Sequence, residues 1–302
     1  MKWRGRRTSR NIDDRRGQSA GFPGFGRAGG DGRRIRMGGR RSGIGGLGLI
    51  VVIGIALLMG VNPLTLLTGD GSGFTVPTNA PSSGSNQIDD TSEEFVSVVL
   101  ADTEDVWGEI FKASDKQYRP PTLVLFSDRV SSACGLASAA SGPFYCPGDR
   151  QAYLDMSFFQ VMDRRLGAKG DFARAYVIAH EIAHHVQNEL GVMEQVNRLR
   201  QRSSQVESNQ LSVMLELQAD CYSGVWAHHA QRKYGLLEPG DIEEALNAAN
   251  QIGDDTLQRS SGQAVVPDSF THGTSEQRVR WFTAGMQSGD PGQCDTFNAS
   301  RL

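Results

Sequence analysis

From residue 42 to residue 69 the chain carries no charged side chain, and residues 43–61 read GIGGLGLIVVIGIALLMGV. Those nineteen apolar or small residues, at a helical rise of about 1.5 Å, reach roughly 28 Å, the thickness of one bilayer core. Few folds accommodate such a run. A helix buried in a globular core would rarely hold so many glycines, whereas membrane helices tolerate them. The run also divides the chain into unlike parts. Residues 1–42 hold thirteen Lys/Arg against three Asp, while the other 260 residues hold 18 basic and 31 acidic side chains. Basic flanks stay in the cytoplasm, and no small-residue cleavage site follows the run. The expectation is an uncleaved transmembrane anchor over residues 43–67. It makes the chain a single-pass membrane protein with its N-terminus cytoplasmic and its C-terminal domain periplasmic or extracellular.

The Arg/Gly-rich arm, residues 1–42, lacks apolar periodicity and reads as disordered. Topology and attraction to anionic lipid headgroups account for its charge, so no nucleic-acid partner is expected. Residues 68–90, rich in Gly, Ser, Thr, Asn and Pro, read as a flexible linker. Residues 91–302 show the periodicities of a helix-dominated α+β domain with a small sheet near its start. Capping and acidic residues open a helix that runs from residue 91 to about 113. Strands are expected at Thr122–Phe126 and Gln151–Asp155, and long helices at 171–190, 208–234, 240–257 and 275–286.

Within the first of these long helices stands His180-Glu181-Ile182-Ala183-His184. Histidines at i and i+4 project from one helix face and can grip one cation. Glu181 is placed to reach a water on that cation as general base. The next helix carries Glu216 and Asp220, again at i and i+4. Glu216 completes a His2Glu zinc set with a fourth position open. Asp220 is expected to accept from the ring nitrogen of His180 that does not ligate. A metzincin would need Gly and His where this chain has Gln187 and Leu190.

These segments, with Gly142-Pro143-Phe144-Tyr145-Cys146-Pro147, Tyr153-Leu154-Asp155, Ser269-Phe270-Thr271-His272-Gly273-Thr274-Ser275 and the Arg-rich arm and apolar run, resemble the bacterial neutral zinc metallopeptidases. The resemblance covers nearly the whole chain. It implies a zincin-like domain of gluzincin type with ligands His180, His184 and Glu216 and base Glu181. It also implies an edge strand beside the active helix that pairs with the backbone of a peptide or protein substrate; Gln151–Asp155 is the candidate.

A donor to the developing oxyanion is less legible. His272 is the leading candidate, with His228 and His229 as alternatives, and a capping role for His272 competes with a catalytic one. His185, about 100° around the helix from His184, reads as structural. Cys134, Cys146, Cys221 and Cys294 allow three pairings. Local pairing of Cys134 with Cys146 is expected, leaving Cys221 with Cys294; buried free thiols are the competing reading. The functional expectation is a membrane-anchored zinc metalloendopeptidase, with a catalytically silent scaffold binding envelope proteins or peptides as the alternative.

Overall fold

The computed structural model describes residues 1–17, 90–138 and 141–302. In chain order the main elements are β1 (Ile12–Asp14), α1 (Thr91–Ala113), β2 (Thr122–Phe126), β3 (Arg129–Ser132), β4 (Gly135–Ser138), β5 (Phe144–Cys146), β6 (Gln151–Asp155) and α2 (Ser157–Val161). There follow α3 (Asp171–Glu189), α4 (Val192–Arg200), α5 (Gln205–Tyr234), α6 (Asp241–Gln251), α7 (Asp254–Ser260) and α8 (Ser275–Ser288). The main sheet has the order β1-β2-β6-β5. Its first three strands are parallel, and β5 runs antiparallel to β6. The hairpin β3–β4 stands apart, its turn joined to the end of β5 by the Cys134–Cys146 disulfide. Helices α3 and α5 pack on one another and on α1 over a single apolar core.

The strand expected to offer an open edge, Gln151–Asp155, is interior. It is β6, bonded to β2 on one side and to β5 on the other. The missing signal was β5, three residues long and too short for alternation to reveal.

The arm expected to be disordered is ordered over residues 1–17. Met1 and Trp3 are buried, Trp3 edge-on to Phe95 at 5.5 Å between ring centroids. Ile12–Asp14 pairs in register with Leu123–Leu125 of β2. The basic charge meets acids within the molecule: Arg6 bonds Asp102, Arg7 bonds Glu104 and Asp105, and Arg16 bonds Asp14, Asp90 and Glu93. Averaged over 42 residues, the composition hid these anchors behind the glycines that follow.

Among the described residues no helix is long and apolar enough to cross a membrane. Residues 43–67 lie outside the described residues. A further observation overturns the single-pass topology. Residues 1–17 and the chain from residue 90 onward pack into one unit, whereas a single crossing sends its two flanks to opposite faces of a bilayer. The transmembrane helix is therefore withdrawn from the fold class, and with it the localisation built upon it.

Two close approaches shape the helical layer. Helix α5 opens with a capping box between Ser204 and Glu207 and runs 30 residues. It crosses α8 where glycines face backbone: a Cβ on Gly224 would lie 2.1 Å from Phe282 O, and one on Gly285 would lie 1.9 Å from Cys221 O. The Cys221–Cys294 disulfide ties the chain beyond α8 to the same stretch of α5. The helix expected at 240–257 is instead two, α6 and α7, broken before Gly253. A Cβ there would stand 2.4 Å from Ser275 N, so the break lets α7 abut the loop that precedes α8.

Candidate metal centre

Helix α3 is buried along most of its length, and the site forms where its middle faces α5. His180 and His184 are 6% and 8% exposed. His180 Nε2 lies 3.1 Å from Glu216 Oε2, and His184 Nε2 lies 3.5 Å from Glu216 Oε1. One ligand atom from each of these three residues falls within 4.8 Å of the others. Each ring is held from behind. His180 Nδ1 donates to Asp220 Oδ1 at 2.9 Å, and His184 Nδ1 donates to Gln187 Oε1 at 2.9 Å. Gln187 is fixed in turn by donating to Leu215 O and Gln218 Oε1. With both Nδ1 atoms held in this way, both Nε2 atoms face the Glu216 carboxylate, and His180 Nε2 hydrogen-bonds to its Oε2.

The electrostatics are those of a cation site. Burial alone would depress His180, yet Asp220 and Glu216 push its pKa up to about 10. Burial alone would raise Glu216, yet the charges of His184 and His272 and the bond from His180 hold it well below the ordinary carboxylate range. Asp220 is likewise lowered against its burial, by Arg278 and His180. Glu181 differs. Burial raises its pKa, and the two histidines only partly offset this; a carboxylate less committed to its charge suits proton transfer. Two nitrogens, a carboxylate and oriented rings fit zinc in its usual three-ligand arrangement.

His272 sits in the loop before α8, and its Nδ1 meets Asp254 Oδ1 at 3.1 Å. The other oxygen of Asp254 accepts the backbone N–H groups of Thr271, His272 and Gly273. Burial would lower His272, but Asp254 and Glu216 raise it. His228 and His229 lie elsewhere. They donate to Met286 O and Gly289 O at the C-terminal end of α8, about 20 Å along α5 from Glu216 at helical rise. They cap that helix and do not join the cluster. His185 donates from Nε2 to Arg119 O at 2.6 Å and accepts from Tyr145 OH at 3.0 Å, with its pKa lowered by burial. It fastens β5 to α3.

Sequence reasoning did not find Tyr176, Asp254 or Arg278. For Arg278 a signal existed: it shares an apolar helical stripe with Trp281, Phe282 and Gly285, where a charge has no place without a partner. Asp254 gave none, since it falls near the end of the helix expected at 240–257 as an ordinary helix acid.

Beside this geometry stand the relatives. A family model described as "Putative neutral zinc metallopeptidase" matches residues 1–297, and so takes in the ordered N-terminal segment. The uncharacterized protein YpfJ of Escherichia coli K12 is 49% identical over 300 residues, 99% of this chain and 100% of that protein. The uncharacterized protein Rv2575 of Mycobacterium tuberculosis H37Rv is 47% identical over 195 residues, 61% of this chain and 65% of its own length. No solved structure matches.

Proposed function

The chain belongs to the neutral zinc metallopeptidase family, and from that premise we propose that it hydrolyses peptide bonds with a zinc ion held by His180, His184 and Glu216. The observation that carries the reading is the convergence of the three ligand atoms within 4.8 Å, with both Nδ1 atoms tied. Zinc bound there supplies Lewis acidity toward the scissile carbonyl and toward water.

The chain's own residues do the rest. Glu181 takes a proton from the attacking water and delivers it to the departing amine, a role supported by its position one residue beyond His180 and by its raised pKa. The Asp254 bond to Nδ1 supports His272 as a donor, through Nε2, to the oxygen on which negative charge develops. Strand β5 lies at one end of the sheet order, which supports it as the edge on which an extended substrate adds by backbone pairing. Tyr145 of β5 binds His185 and Asn188 of α3, so that edge is fixed relative to the helix bearing His180 and His184.

The test is metal content together with hydrolysis of a mixed peptide library. About one zinc per chain, lowered in Glu216→Ala, with cleavage lost in Glu181→Gln, supports the reading. A wild-type chain that takes up no zinc, or cleavage at the wild-type rate in Glu181→Gln, ends it. Zinc uptake without cleavage by the wild type would favour a silent, peptide-binding scaffold.

A further inference from the structure

Behind the ligand cluster a charged chain arrives from the C-terminal helix. Arg278, 2% exposed, donates from Nε to Asp220 Oδ2 and from Nη2 to Asp220 Oδ1, both at 2.9 Å. The same Oδ1 accepts from Tyr176 OH at 2.5 Å and from His180 Nδ1 at 2.9 Å. Asp220 is fully buried, and so is held in a place where an uncompensated carboxylate is costly. A guanidinium binding both oxygens of a carboxylate fixes its plane as well as its charge. A single ammonium would fix only a point.

We propose that Arg278 is a positioning residue for the metal centre, acting through Asp220 on His180. The fork sets the rotation of the Asp220 carboxylate. That carboxylate holds the Nδ1–H of His180 and sets which way the ring faces, and Nε2 is thereby aimed at Glu216. The route is built into the fold. Gly224 and Gly285 let α8 approach α5 closely enough for the fork to reach. The capping box at Thr274 starts α8 immediately after the His272 loop. One segment thus carries both His272 and the brace of His180. The inference rests on the zinc site formed by His180, His184 and Glu216.

The test uses the full chain, stripped of metal, as wild type, Arg278→Lys, Arg278→Met, Asp220→Asn and the double variant Asp220→Asn/Arg278→Met. Zinc affinity is read by competition with a chromophoric chelator, and the zinc-free proteins are unfolded thermally. Removing the partner of a ligating histidine typically weakens metal binding about 10–100-fold. Arg278→Met is expected to weaken zinc binding roughly tenfold, and Arg278→Lys by less. In the Asp220→Asn background, loss of Arg278 is expected to add nothing, because the two act in series. A brace with no bearing on the metal would lower the melting temperature of the zinc-free protein and leave zinc affinity per folded chain at the wild-type value. That result overturns the proposal, as does a loss that adds in the double variant. If Arg278→Met does not fold, Arg278→Lys decides, and wild-type affinity in it overturns the proposal. A wild-type chain that binds no zinc removes the metal centre itself, and this role for Arg278 with it.

Discussion

The crossing of α5 and α8 yields the sharpest prediction. Gly285→Ala puts a methyl group 1.9 Å from Cys221 O and 2.8 Å from Cys221 C, where ordinary contact begins at 3.4 Å. Both neighbours are backbone, so no side chain can swing away, and the helices must part by about 1.5 Å at that point. Overpacking of this kind costs about 1–3 kcal/mol, and contact with main chain argues for the upper end. For a domain of this size that corresponds to a fall in melting temperature of roughly 6–12 °C. The displacement has a second effect. Arg278 lies two turns before Gly285 on the same face of α8, and its 2.9 Å bonds to Asp220 do not survive a shift of that size. Zinc affinity should therefore fall along with stability. Differential scanning calorimetry of the zinc-free protein, followed by chelator competition on the folded fraction, reads both effects. A Gly285→Ala protein that melts within about 1 °C of wild type would refute the close-approach argument.

Other outcomes follow from the same structure. Glu181→Gln should retain zinc by mass spectrometry and lose about 10²–10⁴ of its peptidase rate. Asp254→Ala removes the carboxylate from His272 Nδ1, leaving it only Thr271 Oγ1, and frees three backbone N–H groups at once; kcat should fall while zinc content stays at the wild-type level, and an unchanged kcat would remove His272 from the reaction. Trp3→Ala opens the buried contact with Phe95 and should cost about 3–5 kcal/mol in chemical denaturation; an unchanged midpoint would mean that residues 1–17 do not belong to the cooperative fold. Asp102 is 2% exposed, its Oδ2 has no hydrogen-bond partner among the described residues, and burial pushes its pKa up to about 7 despite Arg6. Because that value lies above the unfolded one, its contribution to stability is complete below pH 4 and is lost as the pH rises to about 7. Asp102→Asn should flatten stability across that window, read by denaturation at pH 4 and at pH 8.

What the sequence made legible was local geometry. Two histidines four apart on one helix, and Glu216 and Asp220 four apart on another, announce their shared faces through helical periodicity alone. The structure brings those faces together, together with the Cys134–Cys146 and Cys221–Cys294 disulfides. What joins the helices was not legible. Nothing local distinguishes Gly224 and Gly285, among 36 glycines, as the two that meet backbone across a helix crossing. Nor does the sequence near Gly253 announce that the chain must pause there to seat Asp254 under His272. The basic N-terminal residues misled for another reason. Charge asymmetry along a chain says that opposite charges exist, and only the fold reveals that Arg6, Arg7 and Arg16 meet their counterparts on α1 and at its start.

Arg16 also bears on the entropy of the chain. Its Nη1 lies 2.8 Å from Asp90 Oδ2, so residues 18–89 leave and rejoin the folded unit at nearly the same place. The 72 intervening residues have only that short gap to bridge, and the entropy of closing a chain grows only with the logarithm of the number of residues closed. Replacing them with about nine Gly/Ser residues removes three doublings of loop length, worth about 2 kcal/mol of closure entropy, without asking the two ends to move. Such a shortened chain should refold faster and melt higher with the His180–His184–Glu216 cluster intact, and it would isolate whatever residues 18–89 contribute on their own.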